Sequence, residues 1–238
     1  MRILMLGSGP NAVDCQDWPR EPFDRIVAIN NAWRVRNDWD DLVYPEDFPI
    51  DRRPETIKPG QQIVEADRFI PMGNRYGGVV WCGATMAFTA TYWALGAFTP
   101  SVIAYLGCDM VYEGSRTHFY GNGSPDPLRD DITLRSLEAK AARAYLLARE
   151  QNCALVNLST DDSRLVFPRA TRETIASIRS GEHHSTATKN LLSEESAFGY
   201  EAPTGRYWES LSQYDPEIID AIDAKWLSLF DQRMPISA

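Results

Sequence analysis

The sequence predicts an α/β fold: a mostly parallel sheet with helices on both faces and a lid loop. Three observations carry this. Apolar runs of strand length alternate with helical patterns. Each run ends in a small or polar turn, where open α/β sheets bind their ligands. The pattern shows no internal repeat, so the chain reads as one sheet built by successive crossovers.

The first strand, about residues 2–6, is Arg2-Ile3-Leu4-Met5-Leu6, and it stops in Gly7-Ser8-Gly9-Pro10-Asn11. Glycines there give the backbone room to turn tightly and let an anion approach N–H groups. Ser8 or Asn11 is suited to cap the next helical turn. With Ala12 the stretch fits a loose Gly-x-Gly-x-x-Ala dinucleotide fingerprint. A nicotinamide site then calls for an acid after the second strand, about residues 25–30. That strand instead ends in Asn30-Asn31. Amides donate and accept, so they suit a base edge or a ribose. The expectation is a nucleotide or phosphate site, not a nicotinamide one.

The 238 residues suit one large domain, or one domain with a lid, and 44% hydrophobic content supplies an ample core. A net charge of −9 without a Lys/Arg block argues against nucleic acid. Cys15, Cys82, Cys108 and Cys153 are scattered, which predicts reduced core thiols and neither a zinc site nor a disulfide framework. The N-terminus lacks a signal-peptide pattern and no window has membrane-spanning length, so the expectation is a cytoplasmic protein.

Further along, Leu42-Val43-Tyr44 reads as a short third strand leading to Asp47. Residues 48–62 read as loop and Arg68–Met72 as a short edge strand. The segment Val79–Met86 runs into a small-residue helix that continues through about Leu95, closed by Gly96. Its start at Gly83-Ala84-Thr85 offers N–H groups and a positive dipole end for a second anion contact. A buried strand over 101–106 ends in Gly107-Cys108-Asp109. Residues 111–131 are long, polar and aromatic, which predicts a lid. A helix over 133–151, a strand over 154–158 and a short helix over 171–180 follow. Residues 1–181 thus form the nucleotide-binding domain. Residues 182–238 form a polar arm, partly disordered or covering, plus a C-terminal helix. That helix starts at Asp215-Pro216-Glu217 and carries Ile218, Ile222, Trp226 and Leu229 on one face.

Five short motifs recur in a telling order: Gly-Ser-Gly-Pro, Asn30-Asn31, Cys82-Gly83-Ala84, Gly107-Cys108-Asp109-x-x-Tyr112, and the long helix leading to Asn157-Leu158-Ser159. Over about residues 1–167 this order resembles the bacterial sialyltransferases of glycosyltransferase family 42 and a related group. The resemblance implies a Rossmann-like fold that binds CMP-sialic acid and moves the sugar, with inversion and no metal, to an acceptor hydroxyl. It places Gly7, Ser8, Gly9, Pro10, Asn11, Asn30 and Asn31 on the nucleotide and Gly83-Ala84 on the donor. Tyr112, offset by one residue, would steady the leaving phosphate. The chain departs from the family at its general base. In Thr117-His118-Phe119-Tyr120-Gly121-Asn122, Asn122 stands where the catalytic histidine would be. An amide takes no proton at neutral pH, which leaves His118 as the candidate base near the site.

Three expectations result. The first is a nucleotide-sugar-dependent glycosyltransferase without a cofactor. Here His118 is the base, Tyr112, Arg116 and Tyr120 face the leaving phosphate, and Thr85 and Asp109 join the nucleotide site. The second, drawn from the related group, is an ATP-dependent pterin pyrophosphokinase-like enzyme with Mg²⁺ on Asp47 and Asp109. The third is a non-catalytic nucleotide-binding module. A glycan acceptor goes with the first, and a homo-oligomer is compatible with all three.

Overall fold

The computed structural model describes residues 1–112, 117–121, 129–180 and 185–232. Six parallel strands form one sheet: β1 (Arg2–Leu6), β2 (Arg25–Ile29), β3 (Asp41–Val43), β4 (Gln62–Val64), β5 (Val102–Leu106) and β6 (Ala154–Asn157). Their order is β4-β3-β2-β1-β5-β6. Leu4 lies between Ile26 on β2 and Ala104 on β5, which sets the central register. The chain winds outward from β1 in both directions, so the order reverses between β1 and β5. A crevice opens at such a reversal, beyond the strands' carboxyl ends.

Both sheet faces are buried, so the central strands are apolar throughout rather than alternating. Alternate residues divide between two cores. Ile3, Met5, Val27, Ile103 and Tyr105 face all the described α-helices: α1 (Ala66–Asn74), α2 (Val79–Cys82), α3 (Met86–Phe98), α4 (Leu137–Glu150), α5 (Thr186–Ala197) and α6 (Pro216–Asp231). Leu4, Leu6, Ile26, Ala28 and Leu106 face the 3₁₀ turns Pro10–Cys15, Asn30–Arg34 and Arg172–Ser177. The predicted α/β class holds, with α-helices on one face and 3₁₀ turns on the other. The Arg172–Ser177 turn stands where a short α-helix was expected.

Several elements differ from expectation for local reasons. Arg68–Met72 is not an edge strand but part of α1. Phe69 and Met72 pack into the core, and that packing outweighs the backbone hydrogen bond lost at Pro71. The edge strand is β4, which begins at Gln62, the last residue of the expected loop. The expected small-residue helix is α3, which starts at Met86 behind its cap Thr85, and the segment before it forms the short helix α2, separated from α3 at Gly83 with φ +87°. Gly96 does not end α3. It lets Met72 of α1 pack close, and Thr99 in the left-handed region makes the stop. A 3₁₀ turn, Ile132–Leu134, precedes α4, whose N-cap Ser136 accepts from Ala139 N–H at 3.1 Å.

The polar arm is a covering arm across its described residues. Two ion pairs bolt it to α4. Arg143 pairs with Glu195 of α5 at 2.7 Å, and Lys140 pairs with Asp223 of α6 at 2.8 Å. All four side chains are buried. On α6, Asp215 caps the start, and Ile219 rather than Ile218 joins Ile222, Trp226 and Leu229 in the core. No described helix is long and apolar enough to cross a membrane.

Candidate functional site

A cleft of about 720 Å³ opens over the carboxyl ends of the strands at the reversal between β1 and β5. The turn Gly7–Asn11 forms its floor, with Asn30 and Asn31 just after β2, Asp47 and Arg52 beyond β3, and Asp109 just after β5. Thr85 and Met86 at the start of α3 form one wall. Tyr112, His118 and Tyr120 lie over it, and Asp161 and Asp162, beyond β6, close the remaining side. Sequence reasoning placed the glycine turn, the paired amides and His118 in one crevice, and they meet there.

The glycines earn their place by a contact other than the expected one. A Cβ on Gly7 would sit 2.2 Å from the Gly107 carbonyl oxygen and 2.6 Å from Cys108 Sγ. The first turn is pressed against the turn after β5. The Gly7 N–H donates to Leu106 O and the Gly9 N–H to Gly107 O, each at 2.8 Å. Those two N–H groups therefore knit the strand ends together and are not offered to an anion. Gly7→Ala is expected to cost ~3 kcal/mol by overpacking, a melting-temperature drop of roughly 6–12 °C for a chain this size, read by calorimetry. Gly9 caps the Pro10–Cys15 turn with its backbone alone, so neither Ser8 nor Asn11 serves as the expected side-chain cap.

Asn11 instead organises the acidic side of the cleft. Its Nδ2 lies 2.8 Å from Asp109 Oδ2, 2.8 Å from Ser159 Oγ and 3.0 Å from Asp161 Oδ2. Three acceptors around one amide nitrogen settle which way the amide points, and they turn Oδ1 the other way. Asp109 also accepts from Asn157 Nδ2 at 3.0 Å, and Arg169 stands 4.0 Å away. Asp109 is thus a braced structural acid, with Asn11 as the hub. Buried amide oxygens of Asn11, Asn30 and Asn31 have no hydrogen-bond partner among the described residues. Each such group costs about 1–3 kcal/mol until something donates to it.

The described part of the lid is fastened down. Phe119 N–H donates to Ser8 O at 3.1 Å, and Phe119 packs on the core beneath the sheet's 3₁₀ face. His118 and Gly121 bond each other's backbones at 2.9 and 3.0 Å. This turn holds His118 between Tyr112, 5.8 Å away centre to centre, and Tyr120, stacked at 5.0 Å. His118 Nδ1 shares a hydrogen bond with Thr117 Oγ1 at 2.9 Å, leaving Nε2 for exchange with a bound molecule. Burial pulls the imidazole below its ordinary pKa, so it is neutral at pH 7. Arg116 and Asn122, with the other lid residues in 113–116 and 122–128, lie outside the described residues.

Gly83-Ala84-Thr85 is divided. Thr85 lines the cleft and caps α3, accepting from Phe88 N–H at 3.3 Å. Gly83 and Ala84 line a second cavity, and the Ala84 N–H donates to Thr133 Oγ1 at 3.0 Å. They are not among the cleft's lining residues, contrary to the expected donor contact. The first N–H groups of α3, from Met86 onward, meet the cleft with the helix's positive end. Sequence reasoning did not single out Arg52, Asp161 or Asp162. The signal for the last two was present, since Ser159–Ser163 directly follows a strand's carboxyl end.

Asp47 and Asp109 both line the cleft, but no cluster of three or more His, Cys, Asp or Glu suited to a metal occurs among the described residues. All four cysteines are free and buried, and burial pushes the Cys15 and Cys82 thiols up to about 11. They stay protonated and unreactive at neutral pH. No protein-family model, curated protein or solved structure matches this chain.

Proposed function

We propose that the cleft binds a nucleotide-sugar of the CMP type and transfers its sugar to an acceptor hydroxyl. One observation carries this reading: three buried amide oxygens, from Asn11, Asn30 and Asn31, lie without donors around a crevice at the sheet's reversal point. A cytosine amine and ribose hydroxyls are donors of the kind those oxygens require. Among the described residues the lining carries Asp47, Asp109, Asp161 and Asp162 against one arginine, Arg52, so those residues offer a bare anion little attraction. A phosphate is better served by the α3 N-terminus and by the hydroxyls of Tyr112 and Tyr120.

In the proposed transfer, the acceptor oxygen attacks the sugar's anomeric carbon. A new C–O bond forms as the bond to the phosphate oxygen breaks, and the nucleotide departs with that electron pair. Neutral His118 takes the acceptor's proton. Tyr112 and Tyr120 hydrogen-bond the departing phosphate. No metal enters this scheme.

A thermal-shift screen of CMP, CMP-sialic acid, UDP-sugars, ATP and GTP tests the reading. At about one hundred times its Kd a ligand adds ~2.7 kcal/mol, roughly 5–11 °C here. The expected result is a rise with CMP and CMP-sialic acid that persists in EDTA. A rise with ATP that disappears in EDTA would replace this reading with pyrophosphoryl transfer. No rise with any nucleotide would remove it.

A further inference from the structure

A second cavity, of about 550 Å³, adjoins the first through Pro45, Asp47 and Met86, which line both. Its chemistry is the reverse of the cleft's. Phe69 and Ile70 of α1, Val79 and Cys82 of α2, and Trp208 from the covering arm supply apolar wall. Four of its polar side chains, Asn74, Tyr92, Arg129 and Tyr207, are already engaged. Tyr207 donates to Asp131, and Arg129 Nη2 donates to Tyr207 Oη at 2.9 Å. Tyr92 Oη accepts from Arg143 at 2.9 Å, and Asn74 Nδ2 donates to Pro203 O at 2.8 Å. Among the described residues, three buried side-chain atoms without a partner belong to the cleft's lining and none to this cavity's. Trp208 is 57% exposed, with Tyr207 set edge-on to its ring at 5.4 Å, so much of its indole remains open to an apolar group.

We infer that this cavity seats the apolar aglycone of the acceptor. The acceptor is then an amphipathic glycoside. Its acyl, alkyl or aromatic tail lies among Phe69, Ile70 and Trp208, and its hydroxyl-bearing head reaches the cleft past Asp47 and Met86. This assignment rests on the transfer chemistry proposed above, but its binding test does not.

Gly73 provides the test. It lies in α1 on the cavity wall, and a Cβ there meets nothing within 4 Å. Gly73→Phe therefore fits the helix and fills the cavity. The probe is N-phenyl-1-naphthylamine, a neutral fluorophore, titrated into the full chain. Wild type is expected to bind it saturably, and Gly73→Phe to weaken binding by about tenfold or more. Trp208→Ala, at an exposed position, is expected to weaken it as well and to diminish energy transfer from tryptophan. The CMP thermal shift should be unchanged in both variants. With donor supplied, KM for alkyl glycosides should fall as the alkyl chain lengthens in wild type and stay level in Gly73→Phe. Absence of saturable probe binding by wild type, or wild-type affinity in a folded Gly73→Phe, overturns the inference. If Gly73→Phe does not fold, wild-type affinity in Trp208→Ala overturns it. Loss of the CMP shift in wild type would instead count against the nucleotide site.

Discussion

Glu195→Ala is expected to destabilise the protein by about 3–5 kcal/mol, the cost of leaving a buried charge without its partner. Glu195 is 2% exposed and accepts from Arg143 Nε at 2.8 Å, Arg143 Nη2 at 2.7 Å and Trp226 Nε1 at 2.7 Å. These bonds join α5, α6 and α4 at one point. Removing the carboxylate strands a fully buried guanidinium whose remaining hydrogen-bond acceptors are the neutral Tyr76 carbonyl, Tyr92 Oη and a distant Cys82 Sγ. For a chain of this length the melting temperature should drop by roughly 6–20 °C. Replacing both partners, as Arg143→Met with Glu195→Leu, should recover much of the loss, because two matched apolar groups carry no desolvation penalty. Scanning calorimetry of wild type and the two variants reads this. A drop below about 1 kcal/mol for Glu195→Ala would mean that water reaches Arg143 and the arm is loosely seated.

His118→Ala is expected to lower transfer turnover by about 10²–10⁴-fold, the usual worth of a general base, with CMP affinity nearly unchanged. The imidazole touches the two tyrosines and Thr117 and is absent from the floor that would hold the base and ribose. The pH profile should carry the same signature. A base must be neutral to act, and burial lowers the pKa of His118 from 6.5. The rate should therefore be level from neutral pH down to that value and decline only below it, as protonation removes the base. Unchanged turnover in His118→Ala, or an acid limb lying above pH 6.5, would take His118 out of the mechanism.

The fold was legible where hydrophobic runs were short and bounded. Strands at Arg2–Leu6, Arg25–Ile29, Val102–Leu106 and Ala154–Asn157 stand within a residue or so of expectation, because a strand buried on both faces leaves an uninterrupted apolar signature. The reading failed where tertiary contacts overrule local preference. Arg68–Met72 read as an edge strand, yet it is helical and α1 runs through Pro71, because Phe69 and Met72 pack into the core. The arm looked polar because the groups it buries include Glu195 and Asp223, and their partners Arg143 and Lys140 lie more than fifty residues away. No periodicity argument pairs charges across that separation.

The site was legible to a similar depth. Gly7–Asn11, Asn30-Asn31 and Asp109 follow strands and so had to gather at one sheet edge. What the glycines do there was not legible, since it depends on Gly107 packing against Gly7 from a strand one hundred residues later. The role of Asn11 was hidden likewise, because Asp109 and Asp161 define it only after β5 and β6 take their places.

In the proposed function the unpaired amide oxygens of Asn11, Asn30 and Asn31 hold a cytidine nucleotide. Calorimetric titration of CMP in EDTA tests it most directly, with wild type beside Asn31→Ala and Asn30→Gly. Glycine is chosen at position 30 because Asn30 has φ +52°. Saturable heat with wild type, weakened about tenfold or more in each variant, is the predicted result. No heat with wild type, or one Kd shared by all three proteins, would contradict it.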